Sequence, residues 1–181
     1  MFSWLRKVAA ALQNRGRSAN EPELSDVYSG LREQALRVQR SEIGMPAPPA
    51  GAPVWGLLME FRSSKAAVTL FTLDDGTASL YFSNGGGVIG GHTHETVRRA
   101  ITDLIRVANQ FHESMAATDI FSLPGPGDVI FYALTDAGTL TTTAPEDELG
   151  KRRHPLSILF CAGHAVITEL RLISEENTPV Q

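Results

Sequence analysis

The stretch that decides the fold is Ser79-Leu80-Tyr81-Phe82-Ser83-Asn84-Gly85-Gly86-Gly87-Val88-Ile89-Gly90-Gly91-His92-Thr93-His94-Glu95-Thr96. It begins with alternating apolar and polar residues, a pattern typical of a strand with one buried face. Five of the chain's 16 glycines follow, and then a His-x-His pair opens an amphipathic segment. The stretch therefore predicts a strand, a tight glycine-rich crossover and a long helix.

Apolar runs on both sides of this stretch have the length of strands. Residues 54–61 are almost continuously apolar, which predicts a central strand covered on both faces. Asp74-Asp75-Gly76 is a tight-turn signal between two further strands at 66–73 and 77–83. We expect a three-strand meander, a helix over 93–115, a hairpin over 128–143 and a last helix over 156–173.

These elements predict an α+β fold, a two-layer domain with an antiparallel five-stranded sheet and an N-terminal helical appendage. In element order alone, the arrangement resembles profilin-type and roadblock-type interaction domains. Ser25 is a good helix N-cap and Gly44 a good helix stop, so one helix is expected between them. The predicted division is a basic amphipathic segment at 1–20, an appended helix at 21–44, a Pro/Ala-rich linker at 45–53, the α+β domain at 54–174 and a tail at 175–181.

Charge and cysteine content restrict the class of protein. The net charge is −4, and residues 1–20 carry +4, so the remainder carries −8. A body that acidic is a poor binder of nucleic acid, whose affinity comes largely from neutralised phosphates. Cys161 is the single cysteine, which excludes an intramolecular disulfide and indicates a cytoplasmic location. We expect no membrane-spanning segment, because no apolar run approaches about 20 residues.

The basic N-terminal segment has an apolar face that includes Phe2, Leu5 and Leu12. Such a helix can lie in a membrane interface, which predicts peripheral membrane contact through residues 1–20. Docking on the chain's own domain or on a partner is an alternative, and an Arg-containing, acid-poor targeting segment is another.

The glycine-rich stretch contains a G-x-G-x-x-G pattern, which in a dinucleotide fold brings the backbone close to a pyrophosphate. The hairpin before it and the missing acidic residue about 20 positions later argue against that fold. A flexible loop at a helix N-terminus can still hold a small anion. The predicted ligand-binding residues are Gly85, Gly86, Gly87, Gly90, His92, His94 and Arg98. The alternative is a purely structural role, with the glycines supplying positive φ at a sharp turn.

Two other groups of residues are candidates for a metal site and for a catalytic pair, and neither is predicted to act as one. His92 and His94 with Glu95 could bind a metal, and His154 could join them, but imidazoles at a helix entrance need not converge, so no metal and no cofactor is predicted. Cys161 and His164 are neighbours on the last helix, where we expect a packed, unreactive thiol. No acid, base and nucleophile stand out together, so no catalytic residue is predicted and an enzyme is disfavoured.

The sequence predicts a non-enzymatic intracellular module that binds another protein or regulates it. The Thr-rich strand at 139–143 is expected at a sheet edge, where it could accept a partner. Self-association through that edge or through a helix face is an additional expectation. The alternative is a small anionic-ligand-binding or hydrolytic protein that uses residues 85–95.

Overall fold

The computed structural model describes residues 24–63, 66–90 and 92–176. The predicted amphipathic segment at 1–20 lies outside the described residues, as does most of the predicted tail. The helices are α1 Asp26–Arg37, α2 Arg40–Ile43, α3 Glu95–Phe111, α4 Glu146–Gly150 and α5 Ser157–Glu176, with a short 3-10 turn at His112–Ser114. The strands are β1 Gly56–Arg62, β2 Ala67–Leu73, β3 Ala78–Phe82, β4 Gly87–Ile89, β5 Ala116–Thr118, β6 Asp128–Thr135 and β7 Gly138–Pro145.

The α+β class is confirmed, and the sheet is antiparallel, but the five-stranded prediction is wrong. The described residues form a seven-stranded sheet in the order β4-β3-β2-β1-β6-β7-β5. The two additional strands have three residues each, which is too short to give a readable alternation. One of them, β5, pairs with Thr139–Thr141 of β7, so the Thr-rich strand is not at the edge as predicted.

The two-layer prediction is also wrong, because helices cover both faces of the sheet. One face packs under α3 and α5, with Leu57 and Met59 of β1 in that core. The opposite face packs under α1, with Leu58 in its core. Strand β1 is buried on both sides, as its continuous apolar run predicts.

Helix α1 is therefore the third layer of the fold rather than an appendage. Its N-terminus is capped as predicted, with the Ser25 hydroxyl accepting from the Tyr28 N–H at 3.1 Å. Its buried residues are Tyr28, Leu31, Ala35 and Leu36. The single helix predicted up to residue 43 is two helices, because the chain is extended at Val38 (ψ 136°). The expected stop at Gly44 is confirmed by its φ of 70°.

Helix α5 lies along the sheet with Leu159, Val166 and Leu170 fully or almost fully buried. Its Gly163 allows a close approach, since a Cβ there would lie 2.6 Å from the Met59 sulfur. Judged by length and apolar composition alone, this one helix among the described residues would suffice to cross a bilayer. The expectation that no segment is long and apolar enough to span a membrane is therefore wrong for length and apolar composition.

We expect Gly87→Ala to destabilise the fold by about 1–3 kcal/mol, because the added methyl has no room. A Cβ at Gly87 would lie 2.7 Å from the Leu80 carbonyl oxygen, a backbone atom held in the sheet. At the neighbouring Gly86 the nearest atom would be 3.6 Å away, so Gly86→Ala is the matched control. Urea unfolding of both variants checks this, and equal losses would contradict it.

Candidate functional sites

The glycine-rich stretch forms a β-hairpin, not the crossover loop that the sequence predicts. The Gly85 N–H donates to the Phe82 carbonyl at 2.9 Å, and the Phe82 N–H donates to the Gly86 carbonyl at 2.9 Å. Gly85 has a φ of +95°, which closes the turn between β3 and β4. The chain then runs back along β3, so that the Gly90 N–H reaches the Ala78 carbonyl at 3.2 Å.

The predicted ligand-binding residues are consequently divided between the two ends of β3. Gly85 and Gly86 lie at one end, with Gly85 close to Ser25 at the start of α1. Arg98 lies at the other end, packed over Gly76 in the β2–β3 turn. Five residues of strand separate the ends, a distance of about 16 Å at roughly 3.3 Å per residue. Gly90 returns to the Arg98 end, whereas Gly87 is paired within the sheet.

The remaining predicted residues lie at the entrance to α3. His92 is exposed and His94 is half-buried. His94 is the N-cap of α3 but makes no side-chain capping bond. Arg98 pairs with Glu95, and this guanidinium, with Arg99, holds the pKa of the Glu95 carboxyl below its usual value. One carboxylate is thus shared by two arginines, so Glu95 offsets part of the positive charge predicted to attract an anion.

The metal and Cys-His alternatives gain no geometric support within the described part of the chain. No group of three His, Cys, Asp or Glu side chains is placed there to hold a metal ion. His154 instead caps the entry to α5, with its Nδ1 accepting from the Leu156 N–H at 3.1 Å. Cys161 is exposed, so the expectation of a packed thiol is wrong. His164 turns inward, 4.3 Å from the Phe160 ring, and burial lowers its pKa.

A buried polar cluster under α1 was not foreseen from the sequence. Glu60 of β1 is 0% exposed, and Arg32 of α1 donates to both of its oxygens at 2.8 and 2.7 Å. Thr69, its cross-strand neighbour, donates to the same carboxylate at 2.8 Å. The Tyr28 hydroxyl completes the cluster with a 2.8 Å hydrogen bond to Thr69.

The same arginine also fixes the loop that crosses this face of the sheet. It donates to the carbonyls of Phe121 at 3.1 Å and Ser122 at 3.0 Å. The Tyr132 hydroxyl donates to the Ser122 carbonyl at 2.7 Å, and Arg62 holds the Pro124 carbonyl at 2.7 Å. One largely buried cation therefore joins a helix, a strand and a loop.

The cluster is suited to holding the structure together rather than to chemistry. Its carboxylate is fully buried and accepts three charge-assisted or hydroxyl hydrogen bonds, so no open position faces a substrate. Burial, with Glu60 adding to it, raises the pKa of Tyr28 to about 12. The sequence signal was a single acidic residue in an apolar strand covered on both faces, since such a charge needs a buried partner.

A groove of about 660 Å³ lies between the α1–α2 junction and the β6–β7 turn. Arg40 spans it with bonds of 2.8 and 2.7 Å to the Asp136 carboxylate, and holds the pKa of that carboxyl below its usual value. The Trp55 indole also lines the groove, and its buried Nε1 makes no hydrogen bond within the described residues. The groove's central charges are therefore paired with each other.

Comparisons of the chain with protein-family models, with curated proteins and with solved structures found no match.

Removing Arg32 should be costly because it leaves the Glu60 carboxylate buried and unpaired. We expect Arg32→Ala to lower the free energy of unfolding by about 3–5 kcal/mol. Arg37→Ala is the matched control on the same helix, because Arg37 is exposed: its ion pair with Glu33 is worth about 0–1 kcal/mol, and its guanidinium lies 5.8 Å from the centroid of the Phe121 ring, a contact worth about 0.5–1 kcal/mol at an exposed site. Urea denaturation compares the two.

A second variant keeps the test informative where Arg32→Ala does not fold. Combining Arg32→Met with Glu60→Leu removes both charges, and should recover most of the loss. Equal, small losses for Arg32→Ala and Arg37→Ala would show that the buried pair contributes little.

Alkaline pH should destabilise the fold through Tyr28. Its pKa is raised from 10.0 to about 12, so between these values the folded chain retains a proton that the unfolded chain has released. Stability is then fully present below about pH 10 and falls as pH rises to about 12, by roughly 2–3 kcal/mol for this group. Urea unfolding at pH 9 and pH 11.5 measures this, and Tyr28→Phe should reduce the fall. An unchanged fall in Tyr28→Phe would contradict the assignment.

Proposed function

We propose that the chain is a non-enzymatic protein-interaction module and that its docking surface is the outer face of α5. One observation carries the proposal: Ile158, Cys161, Ala165, Thr168 and Leu172 are all exposed. They are spaced three or four residues apart, so they form one continuous stripe along the helix. Ile158 and Leu172, at its two ends, are 54% and 50% exposed. We call these five residues the α5 stripe.

The α5 stripe differs from scattered apolar surface residues, which are common and need no explanation. The opposite side of α5 already packs on the sheet, through residues such as Leu159 and Val166. From Ser157 to Thr168 the helix carries no Asp, Glu, Lys or Arg, so this part of it is apolar on its outer side as well as on the side that packs on the sheet. A partner that covers the α5 stripe would complete that burial.

The sheet edges support the proposal less than the sequence suggests. The Thr-rich strand β7 is paired with β5 over Thr139–Thr141, and only Gly138 and the last four residues of β7 have no further strand partner among the described residues. The outermost strands, β4 and β5, have three residues each, so each part of the edge offers few backbone groups to an added strand. The helix face therefore replaces the sheet edge as the favoured docking surface.

The buried Arg32–Glu60 cluster also supports a non-catalytic interpretation, because its polar atoms satisfy each other. Ligand binding by the residues between Gly85 and Arg98 stays a prediction, and their division between the two ends of β3 makes it the weaker one. Membrane contact through residues 1–20 and a cytoplasmic location also stay predictions.

Site-specific photo-cross-linking tests the proposed function. A benzophenone amino acid at Leu172 of the full chain should give a protein adduct on illumination in the cells that produce it. The same probe at Ile120, which is 72% exposed but outside the stripe, is the control and should give none. Adding Ile158→Asp should abolish the Leu172 adduct. No protein adduct at Leu172, or equal adducts at both positions, would contradict the proposal.

A further inference from the structure

We propose that the partner is a second copy of this chain, which docks antiparallel along α5 across a two-fold axis near Ala165. This inference rests on the proposed function, because it assigns an occupant to the α5 stripe. A two-fold interface uses the same patch on both copies, so the patch must be complementary to itself. Both the sizes and the charges along α5 meet that requirement.

The two large side chains of the stripe are placed symmetrically about its middle. Ile158 and Leu172 each lie seven residues from Ala165, which is itself small and exposed. An antiparallel second copy therefore places the Ile158 of each chain beside Leu172 of the other. Small residues at the centre allow the two helices to approach at the short end of the usual 8–10 Å interaxial range.

Two exposed charges of opposite sign, one near each end of α5, favour the antiparallel orientation. Arg152, in the loop that leads into the helix, is exposed, and its side chain makes no ion pair with the described residues. Glu175 is exposed near the other end, where its contact with Arg171 is 3.7 Å long. Antiparallel docking brings Arg152 of each chain to the end that carries Glu175 of the other, whereas parallel docking would bring like charges together.

The expected association is weak. A 20-residue helix is about 30 Å long and about 10 Å wide with its side chains. Its face alone covers on the order of 300 Å² per copy, less than the roughly 800 Å² per partner of a standard stable interface. A monomer–dimer equilibrium that depends on concentration is therefore the expected behaviour.

Sedimentation equilibrium of the full chain over a hundredfold concentration range measures this equilibrium. We expect a monomer–dimer transition that Ile158→Asp and Leu172→Asp shift to at least tenfold higher concentration. Ile120→Asp, an exposed control outside the stripe, should leave it unchanged. Circular dichroism melting checks that each variant is folded. A wild-type chain that is monomeric throughout the range overturns the inference.

Charge exchange tests the orientation. Arg152→Glu and Glu175→Arg should each weaken the dimer by roughly two- to tenfold, and the double variant should restore it because both pairs are re-formed with reversed sign. If the single variants leave the dimer unchanged, or if the dimer of the double variant is weaker than that of either single variant, the antiparallel arrangement is overturned.

Disulfide trapping tests the position of the axis. In a Cys161→Ser background, Ala165→Cys should form an intermolecular disulfide on mild oxidation, because the two positions face each other at the axis. The native Cys161 should not, because eight residues of helix separate the two copies by about 12 Å, beyond the roughly 7 Å limit for Cα atoms in a disulfide. Efficient trapping at Cys161 and none at position 165 overturns the stated register.

The identity of the cross-linked species separates this inference from the proposed function. An adduct between Leu172 and α5 of a second copy supports both. An adduct between Leu172 and a different protein, with a monomeric chain in sedimentation, overturns the second copy and leaves the interaction module standing. An adduct to residues 1–20 of the same chain overturns both.

Discussion

Glu60 lies at the middle of the sheet with no exposure to solvent, and its charge must be balanced where it stands. Arg32 provides that balance from α1 with two short hydrogen bonds. The pair sets where the helix lies, because the guanidinium fork meets the carboxylate in a single geometry. It also fixes the loop at Phe121 and Ser122, so the third layer and its covering loop depend on one interaction. Loss of one member leaves the other charge unpaired in the interior, which costs more than loss of both.

The polar groups of the buried cluster bind one another, so a partner or ligand would have to bind at the surface. The polar groups under α1 are mutually satisfied, and Arg40 and Asp136 likewise neutralise each other in the nearby groove. Two of the four exposed large hydrophobic side chains of the described residues, Ile158 and Leu172, lie on the outer side of α5. One side of that helix belongs to the core. The other has the size and charge pattern of a self-complementary contact.

Sequence reasoning predicted the elements whose signals are local. The Ser25 cap, the Asp74-Asp75-Gly76 turn and the doubly covered β1 follow from residues close together in the chain. The third layer was missed because the proline-rich segment after α1 suggested a separate unit, although a linker does not determine where its helix packs. The glycine-rich stretch was misassigned because positive φ suits a hairpin and a crossover equally. Whether Cys161 is buried depends on which side of α5 faces the sheet. The sequence around Cys161 does not show that side.

Native-state hydrogen exchange tests most directly whether the Arg32–Glu60 pair makes α1 an integral layer of the fold. The amides of Leu31 and Ala35 in α1 and those of Leu58 and Met59 in β1 provide the comparison. We predict that both sets exchange only through global unfolding, with opening free energies equal within about 1 kcal/mol. If the α1 amides instead exchange through a local opening that costs several kcal/mol less than that of β1, the helix is a detachable appendage and the pair does not hold it on the sheet.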